Sequence, residues 1–284
     1  MTERELKRRD ILLAVDTYLE AIIDKTPEKV PVSPRLKMTH NGESSKIGES
    51  PLWRNTLRVK ERQTFADPDS EQAVFYGVFT NVQSDFGVPR QIDMNLYAFW
   101  CTVTIRIKLE QGLITEIEEL CNDRDLRLFP VPKKDIVLPD PNFSWYVHPD
   151  ARSTKEEMIA LIDNYWDCAS GLRPIDQLPV HPDAQRYEEG YRTTNQLHSF
   201  RGDFKHNKTF RWDVLQENRR YPVVDPEYGL IISYCMMENN IAGPAARDYV
   251  RGALVVEVFR IDYGLINRLL AMFPFLTGKT GWEK

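Results

Sequence analysis

The spacing of apolar residues predicts helices and strands in a fixed order along the chain. In residues 5–24 they recur every three or four positions, which is the spacing of a helix that buries one face. Residues 72–80, 92–109 and 113–121 have the apolar pattern of strands, and Gly112 marks a hairpin turn between the last two. A second helix is predicted over residues 153–170, followed by strands at residues 184–193, 210–216, 230–237, 248–261 and 265–273.

The two halves of the chain repeat one another at matching positions. An Asp-Pro turn leads into an apolar strand at Asp67 and again at Asp225, and the strands end at Asn81 and Asn239. Both pairs stand 158 positions apart. Weaker matches in the helices and in the last hairpins follow in the same order. Self-similarity of this kind indicates a duplicated domain.

Each half places a helix before a run of antiparallel strands, which predicts an α+β unit. One helix does not cover a flat sheet of long strands, so we expect each sheet to curl around its helix. Five prolines in residues 124–152 predict an extended linker, and its aromatic residues suggest that it docks on the surface. The expected organisation is a first domain at 1–123, a proline-rich linker at 124–152 and a second domain at 153–284.

Net charge and the distribution of apolar residues argue against some classes of binding partner. The formal net charge of −5 argues against a nucleic-acid partner, which a basic patch or a high isoelectric point would indicate. Neither a secretory signal nor an apolar run long enough to cross a membrane is found, so a cytoplasmic protein without a membrane partner is expected. Homo-oligomerisation is left open. Buried free thiols are expected at the four widely spaced cysteines, Cys101, Cys121, Cys168 and Cys235.

Several short motifs resemble a known family. The stretch Met38-Thr39-His40-Asn41-Gly42, the residues from Gly48 to Trp53 and the turn Phe65-Ala66-Asp67-Pro68 resemble an uncharacterised SnoaL-like branch. That branch has a T-E-N-G turn, a G…W segment and an A-D-P turn, so His40 stands where it usually has glutamate. The ending Gly278-Lys279-Thr280-Gly281-Trp282 is also similar. The order of helix, short strand and long hairpins over residues 5–123 and 153–276 also resembles domains of the SnoaL-like, nuclear transport factor 2-like superfamily.

The resemblance implies two tandem cone-shaped α+β barrels that pack sheet to sheet as a pseudo-dimer, each with a deep cavity at its open end. In relatives that are enzymes, this cavity holds an acid or base and an apolar substrate, usually without metal or organic cofactor. These enzymes include cyclases, dehydratases, isomerases and lyases. Other relatives are binding or assembly modules without catalysis, so the fold leaves the function open.

His40 is the first candidate base, because a turn holds it at the end of a strand and imidazole exchanges protons near neutral pH. Its simpler alternative is an exposed turn histidine. Glu188, at the corresponding point of the second half, would serve as an acid in an apolar cavity.

The odd positions of the strand at 92–109 pass from polar to aromatic to aliphatic, as a cavity wall would. Tyr97 of this wall has its counterpart in Tyr249, and a solvated charged face is the simpler alternative for the arginines beside Tyr249. The candidate catalytic residues are His40, Tyr97, Glu188 and Tyr249. The candidate substrate-binding residues are Asn41, Trp53, Asp93, Asn95, Arg247 and Arg251.

Two functions from different classes fit these residues. The first is a cofactor-independent acid–base enzyme, a lyase, dehydratase or isomerase, that acts on a small apolar, aromatic or polycyclic molecule. One specific possibility, taken from the resemblance alone, is release of formaldehyde from a lignin-derived diaryl diol. The second is a non-catalytic binding or assembly module. No metal site is expected, because the five histidines form no recognisable ligand set.

Overall fold

The computed structural model describes residues 1–81, 99–122, 138–188, 190–194, 213–214, 219–238, 252–274 and 280–282. The chain divides into two compact units, Met1–Asp125 and Leu126–Lys284. Each unit has its own apolar core between a long helix and a mixed sheet. Among the described helices, none combines the length and apolar character needed to span a membrane.

The first unit begins with helix α1 (Glu3–Asp24), whose sequence specifies both of its ends. The Thr2 hydroxyl accepts a hydrogen bond from the Glu5 amide, and the Glu5 carboxylate accepts one from the Thr2 amide, which forms a capping box. Lys25 ends the helix in a left-handed conformation. The buried face of α1 carries mainly apolar residues, namely Ile11, Ala14, Val15, Tyr18, Leu19, Ala21 and Ile22.

Six strands form the sheet of the first unit, in the order β2-β1-β6-β5-β4-β3. Strands β1 and β6 are parallel, and every other neighbouring pair is antiparallel. The elements are α1 (Glu3–Asp24), β1 (Val32–His40), β2 (Glu43–Ser44), α2 (Pro51–Asn55), β3 (Thr56–Asp67), β4 (Gln72–Asn81), β5 (Phe99–Glu110) and β6 (Leu113–Asn122).

The second unit repeats this arrangement. Its sheet has the order β10-β11-β12-β13-β7-β8, with β7 and β13 parallel, and the short strand β9 pairs with β11. The elements are α3 (Lys155–Ala169), β7 (Val180–Glu188), β8 (Tyr191–Arg192), β9 (Asp213–Val214), β10 (Arg220–Asp225), β11 (Leu230–Glu238), β12 (Gly252–Asp262) and β13 (Leu265–Met272).

The strand registers place one row of residues at equivalent positions in the two units. In the first unit one row crosses four strands at Phe75, Ile105, Glu119 and His40. The equivalent row of the second unit is Ser233, Glu257, Ala271 and Glu188. The predicted α+β class with two tandem units is therefore confirmed, and each helix lies on the inner face of its own sheet.

Part of the predicted linker packs on the second unit. Residues 138–152 contain two short 3-10 helices, Pro141–Phe143 and Pro149–Ala151. The Val147 amide donates a hydrogen bond to the Glu227 carbonyl at 2.8 Å, and the Tyr146 ring stacks on Tyr228. Residues 124–137 of the predicted linker lie outside the described residues. The boundary between the two units falls within this stretch, after Asp125.

Two expectations about the first unit are wrong. A strand at 56–67 was not expected, because its polar residues hide the alternation, and it forms the edge strand β3. Cys101 and Cys121 are also not free thiols, since they form a disulfide between β5 and β6. Their side chains meet because Cys121 pairs with Val103, two residues from Cys101 on the same face. Cys168 and Cys235 are free and buried, as expected.

Candidate functional site

A buried polar network crosses the interior of the first unit, where its inner face is otherwise apolar. It starts at the end of β1, where His40 lies directly beside Glu119 of the parallel strand β6. His40 Nδ1 is 2.9 Å from Glu119 Oε2. The Glu119 side chain is fully buried, whereas the His40 side chain is 11% exposed. The histidine therefore stands between a buried carboxylate and the solvent-accessible side of the network.

The helix α1 supplies the next member of the network. The Tyr18 hydroxyl donates a hydrogen bond of 2.6 Å to Glu119 Oε1, so the two carboxylate oxygens have different partners. Trp53 of α2 donates its indole N–H to the Tyr18 oxygen at 3.0 Å. Burial, together with the adjacent Glu119 carboxylate, raises the pKa of the Tyr18 phenol well above its usual value. Tyr18 therefore stays neutral and acts as a donor to Glu119.

Asn41 fixes the turn that carries His40. Its side-chain amide donates to the Cys121 carbonyl at 3.2 Å, and its side-chain oxygen accepts from the Cys121 amide at 2.8 Å. Its backbone amide also donates to the Glu119 carbonyl at 2.9 Å. Asn41 has a positive φ of 47°, a conformation that asparagine tolerates better than most residues. The turn is therefore tied to β6 at Glu119 and at Cys121.

The second unit has a related network with different chemistry. The Tyr165 hydroxyl of α3 donates to Glu257 Oε1 at 3.0 Å, as Tyr18 does to Glu119. Arg186 Nε lies 2.7 Å from Glu188 Oε1, and an Arg186 terminal nitrogen lies 3.3 Å from Glu257 Oε1. Both carboxylates are fully buried, and Trp166 donates to the Ser233 hydroxyl at 2.7 Å.

Electrostatics keep the Arg186 guanidinium charged. Its burial lowers the pKa, but the neighbouring Tyr165, Glu188 and Glu257 outweigh this effect, so the pKa is raised overall. The carboxylate that accepts from the helix tyrosine also lies on a different strand in each unit. Glu119 lies on β6, whereas Glu257 lies on β12, which corresponds to β5 of the first unit. The network of the second unit therefore contains an arginine between two carboxylates, whereas the network of the first unit contains a histidine beside one carboxylate.

The predicted site residues have different outcomes. His40, Asn41 and Trp53 meet in the network of the first unit, although Trp53 is only 2% exposed and contacts Tyr18 within the core. Glu188 is fully buried and contacts Arg186, so its neighbours are not only the apolar side chains expected around an acid. Six predicted residues lie outside the described part of the chain, namely Asp93, Asn95, Tyr97, Arg247, Tyr249 and Arg251. The odd positions of β5 from Cys101 to Leu109 belong to the core, on the face that packs on α1.

Sequence reasoning missed the carboxylate and phenol partners in both units. Glu119 lies in a run of charged residues that is typical of a solvated strand, and Tyr18 follows the helical apolar spacing. The available signal was the tyrosine that occurs at matching positions of the two helices, Tyr18 and Tyr165. Among the described side chains, no group of three or more histidine, cysteine and carboxylate residues is arranged to hold a metal ion.

Comparisons with known proteins concern one unit at a time. A family model described as a domain of unknown function, DUF8021, matches residues 151–273, which span α3 to β13. No curated protein matches the sequence.

Solved structures match about one unit's length of the chain. A proposed polyketide cyclase from Xanthomonas campestris pv. campestris is 15% identical with a TM-score of 0.33, over 40% of this chain and 90% of its own. AclR, a proposed hydroxylase from Streptomyces galilaeus, is 12% identical with a TM-score of 0.33, over 44% and 89%. A nuclear transport factor 2-like protein of unknown function from Cytophaga hutchinsonii is 9% identical with a TM-score of 0.29, over 40% and 90%. Each unit is an α+β domain in which a long helix precedes a mixed sheet, as the resemblance to SnoaL-like, nuclear transport factor 2-like domains implied.

Proposed function

We propose that the first unit is a cofactor-independent acid–base catalyst in which His40 transfers the proton and Glu119 positions the imidazole. The observation that carries this proposal is the 2.9 Å contact between His40 Nδ1 and a fully buried Glu119 carboxylate. A carboxylate on one ring nitrogen fixes the tautomer, so that Nε2 becomes the basic nitrogen. The same carboxylate stabilises the imidazolium after Nε2 has taken a proton.

Tyr18 and Trp53 support the pair from behind. The Tyr18 hydroxyl occupies the second oxygen of Glu119, and Trp53 in turn orients Tyr18. Because the network is buried, the carboxylate cannot turn away to water without losing both partners. In this proposal, Tyr18 and Trp53 are positioning residues, and His40 is the group that contacts the substrate.

We infer the substrate class from the apolar surroundings of the network. The core around it includes Phe75, Phe79, Val103 and Ile105, on the face of the sheet that packs on α1. A small apolar molecule, aromatic or polycyclic, would be compatible with such surroundings. His40 would remove a proton from a C–H or O–H group and return it to the leaving group or to a neighbouring carbon. Elimination, dehydration, isomerisation and retro-aldol cleavage all fit this exchange, and formaldehyde release from a lignin-derived diaryl diol is one example.

A non-catalytic binding or assembly module is the alternative. It is favoured by the tyrosine–glutamate hydrogen bond that occurs in both units, at Tyr18–Glu119 and Tyr165–Glu257. A contact present in both units is sufficiently explained by its role in anchoring the helix to the sheet. His40 is what distinguishes the first unit, because the second unit has Glu188 in the equivalent position.

A test of the two functions uses an activated aromatic probe, 5-nitrobenzisoxazole, whose ring opening requires removal of one C–H proton. We expect turnover by the full chain, and a loss of about a hundredfold or more in His40→Gln. Glu119→Gln should lower kcat and change its pH profile, because a neutral amide no longer stabilises the imidazolium. A diaryl propanediol with a free phenol, assayed for formaldehyde, tests the narrower reaction.

The matched control is Glu188→Gln, which alters the equivalent position of the second unit. If the first unit is the catalyst, this variant keeps the rate on the probe. Equal rates in the original chain, His40→Gln and Glu119→Gln would contradict the acid–base proposal and favour the binding module.

A further inference from the structure

A cleft of about 430 Å³ lies on the second unit, away from its polar network. The docked segment at 138–152 forms one side of it, and β7 with the β12–β13 hairpin forms the other. Arg260 lines the cleft and lies between Phe259 and Ile261, which both belong to the core beneath α3. Because neighbouring side chains of a strand alternate, the cleft is on the face of the sheet opposite α3.

Two exposed aromatic rings stand at the edge of the cleft. Trp145 is 62% exposed and Tyr263 is 73% exposed, although large aromatic side chains are usually much more buried. The backbone behind each ring is fixed. The Trp145 carbonyl accepts a hydrogen bond of 2.7 Å from Arg260, and the Tyr263 amide donates one of 3.0 Å to the Ala151 carbonyl. Ordering these rings on a ligand would therefore cost side-chain entropy but little backbone entropy.

The lining also offers amide and carboxylate groups, beside His181, Leu265 and a second arginine, Arg268. Amides come from Asn142, Gln185 and Asn267, and carboxylates come from Asp183 and Asp262. A hydrogen bond of 2.6 Å to Asp140 holds the Asn142 amide in place. These groups can donate to and accept from hydroxyl groups on the same ligand.

Both arginines that line the cleft are already paired with carboxylates of the protein, and Asp183 adds a further negative charge. Arg260 pairs with Asp262 at 3.3 Å, and Arg268 pairs with Asp140 at 3.0 Å. An anionic ligand would have to compete with these carboxylates, and a cationic ligand would meet two guanidinium groups. The cleft therefore favours a ligand without net charge.

We propose that this cleft is a binding site for a neutral saccharide of one or two rings. Such a ligand has an apolar ring face that packs on Trp145 and Tyr263, and hydroxyl groups at its edge for the amides and carboxylates. The cleft volume lies within the range of small-ligand sites, which is about 300–1,000 Å³. The site is independent of the acid–base chemistry proposed for the first unit.

The test is calorimetric titration of the full chain with glucose, galactose, mannose, N-acetylglucosamine, maltose and cellobiose at concentrations up to about 10 mM. We expect saturable binding of at least one of these sugars. Trp145→Ala and Tyr263→Ala should each weaken that binding by about tenfold or more, since each removes one stacking surface. The tryptophan fluorescence of the original chain should shift to shorter wavelength as the sugar covers Trp145.

The control is Leu172→Ala, which removes an exposed apolar side chain of the second unit that does not line the cleft. This variant should bind the sugar as the original chain does. Circular dichroism and thermal unfolding of all three variants exclude a general loss of structure. The proposal is overturned if none of the sugars binds, or if Leu172→Ala weakens binding as much as the cleft variants. Tighter binding of adenosine or of inorganic phosphate than of every sugar would also overturn it.

Discussion

At the scale of residues, the first unit depends on one buried carboxylate with two different partners. Glu119 accepts from Tyr18 on one oxygen and contacts His40 on the other. A buried carboxylate is costly unless such partners compensate its lost hydration. The same pairing therefore serves stability and the proposed chemistry, and a variant at Tyr18 separates the two roles.

Tyr18→Phe removes the hydroxyl group and keeps the ring. We expect a loss of about 1–3 kcal/mol in the free energy of unfolding, because a Glu119 oxygen and the Trp53 indole lose a buried partner. Urea unfolding followed by circular dichroism measures the change. The control Tyr146→Phe alters an exposed residue and should stay within about 0.5 kcal/mol of the original chain. An equally small effect in Tyr18→Phe would mean that water replaces the hydroxyl.

At the scale of elements, the parallel pairing of β1 with β6 creates the site. It brings His40 beside Glu119, which is 79 positions away, and Asn41 then locks the turn to β6. At the opposite edge of the sheet, the long strands β3 and β4 approach each other closely where Gly77 pairs with Arg62. A register shift between Val59 and Glu61 lies next to this position. The absence of a side chain at Gly77 allows this close approach.

Gly77→Ala tests this close approach. A methyl group there would collide with the Glu61 backbone carbonyl and with the Phe75 ring, so we expect a loss of about 1–3 kcal/mol from overpacking. The control is Gly112→Ala, where the added methyl meets nothing within 4 Å and only the positive φ of 79° opposes it. Thermal unfolding of both variants measures the difference. A Gly77→Ala variant no less stable than Gly112→Ala would show that β3 and β4 can separate without cost.

At the scale of the whole molecule, both units depend on a neutral buried tyrosine between helix and sheet. Burial is the first cause that raises the pKa of Tyr18 and of Tyr165 well above the usual value, and Glu119 or Glu257 adds to it. The use of one topology twice, with equivalent cross-strand rows, is what a duplicated domain would leave.

The two tyrosines predict how stability changes at high pH. In the unfolded chain they ionise near pH 10, whereas in the folded chain they keep their protons to higher pH. Their contribution to stability is therefore complete below about pH 10 and is lost as the pH rises above it. Urea unfolding between about pH 8 and about pH 11 should show this decline, with part of the tyrosinate absorbance appearing only on unfolding. In the double variant Tyr18→Phe/Tyr165→Phe the decline should be smaller, and an unchanged decline would assign it to other groups.

The sequence by itself predicted the two long helices, most of the long strands and their occurrence in two units, because helix and strand periods and turn residues are local properties, but it did not reveal β3. It also indicated His40 and Glu188, since both stand at a turn that follows a strand. Only the tertiary structure decided which side chains meet. Glu119 in its charged run and Tyr18 on its apolar stripe become partners through strand register and helix placement, across 101 positions of the chain. Contacts of this kind depend on how distant segments pack, and no local pattern records them.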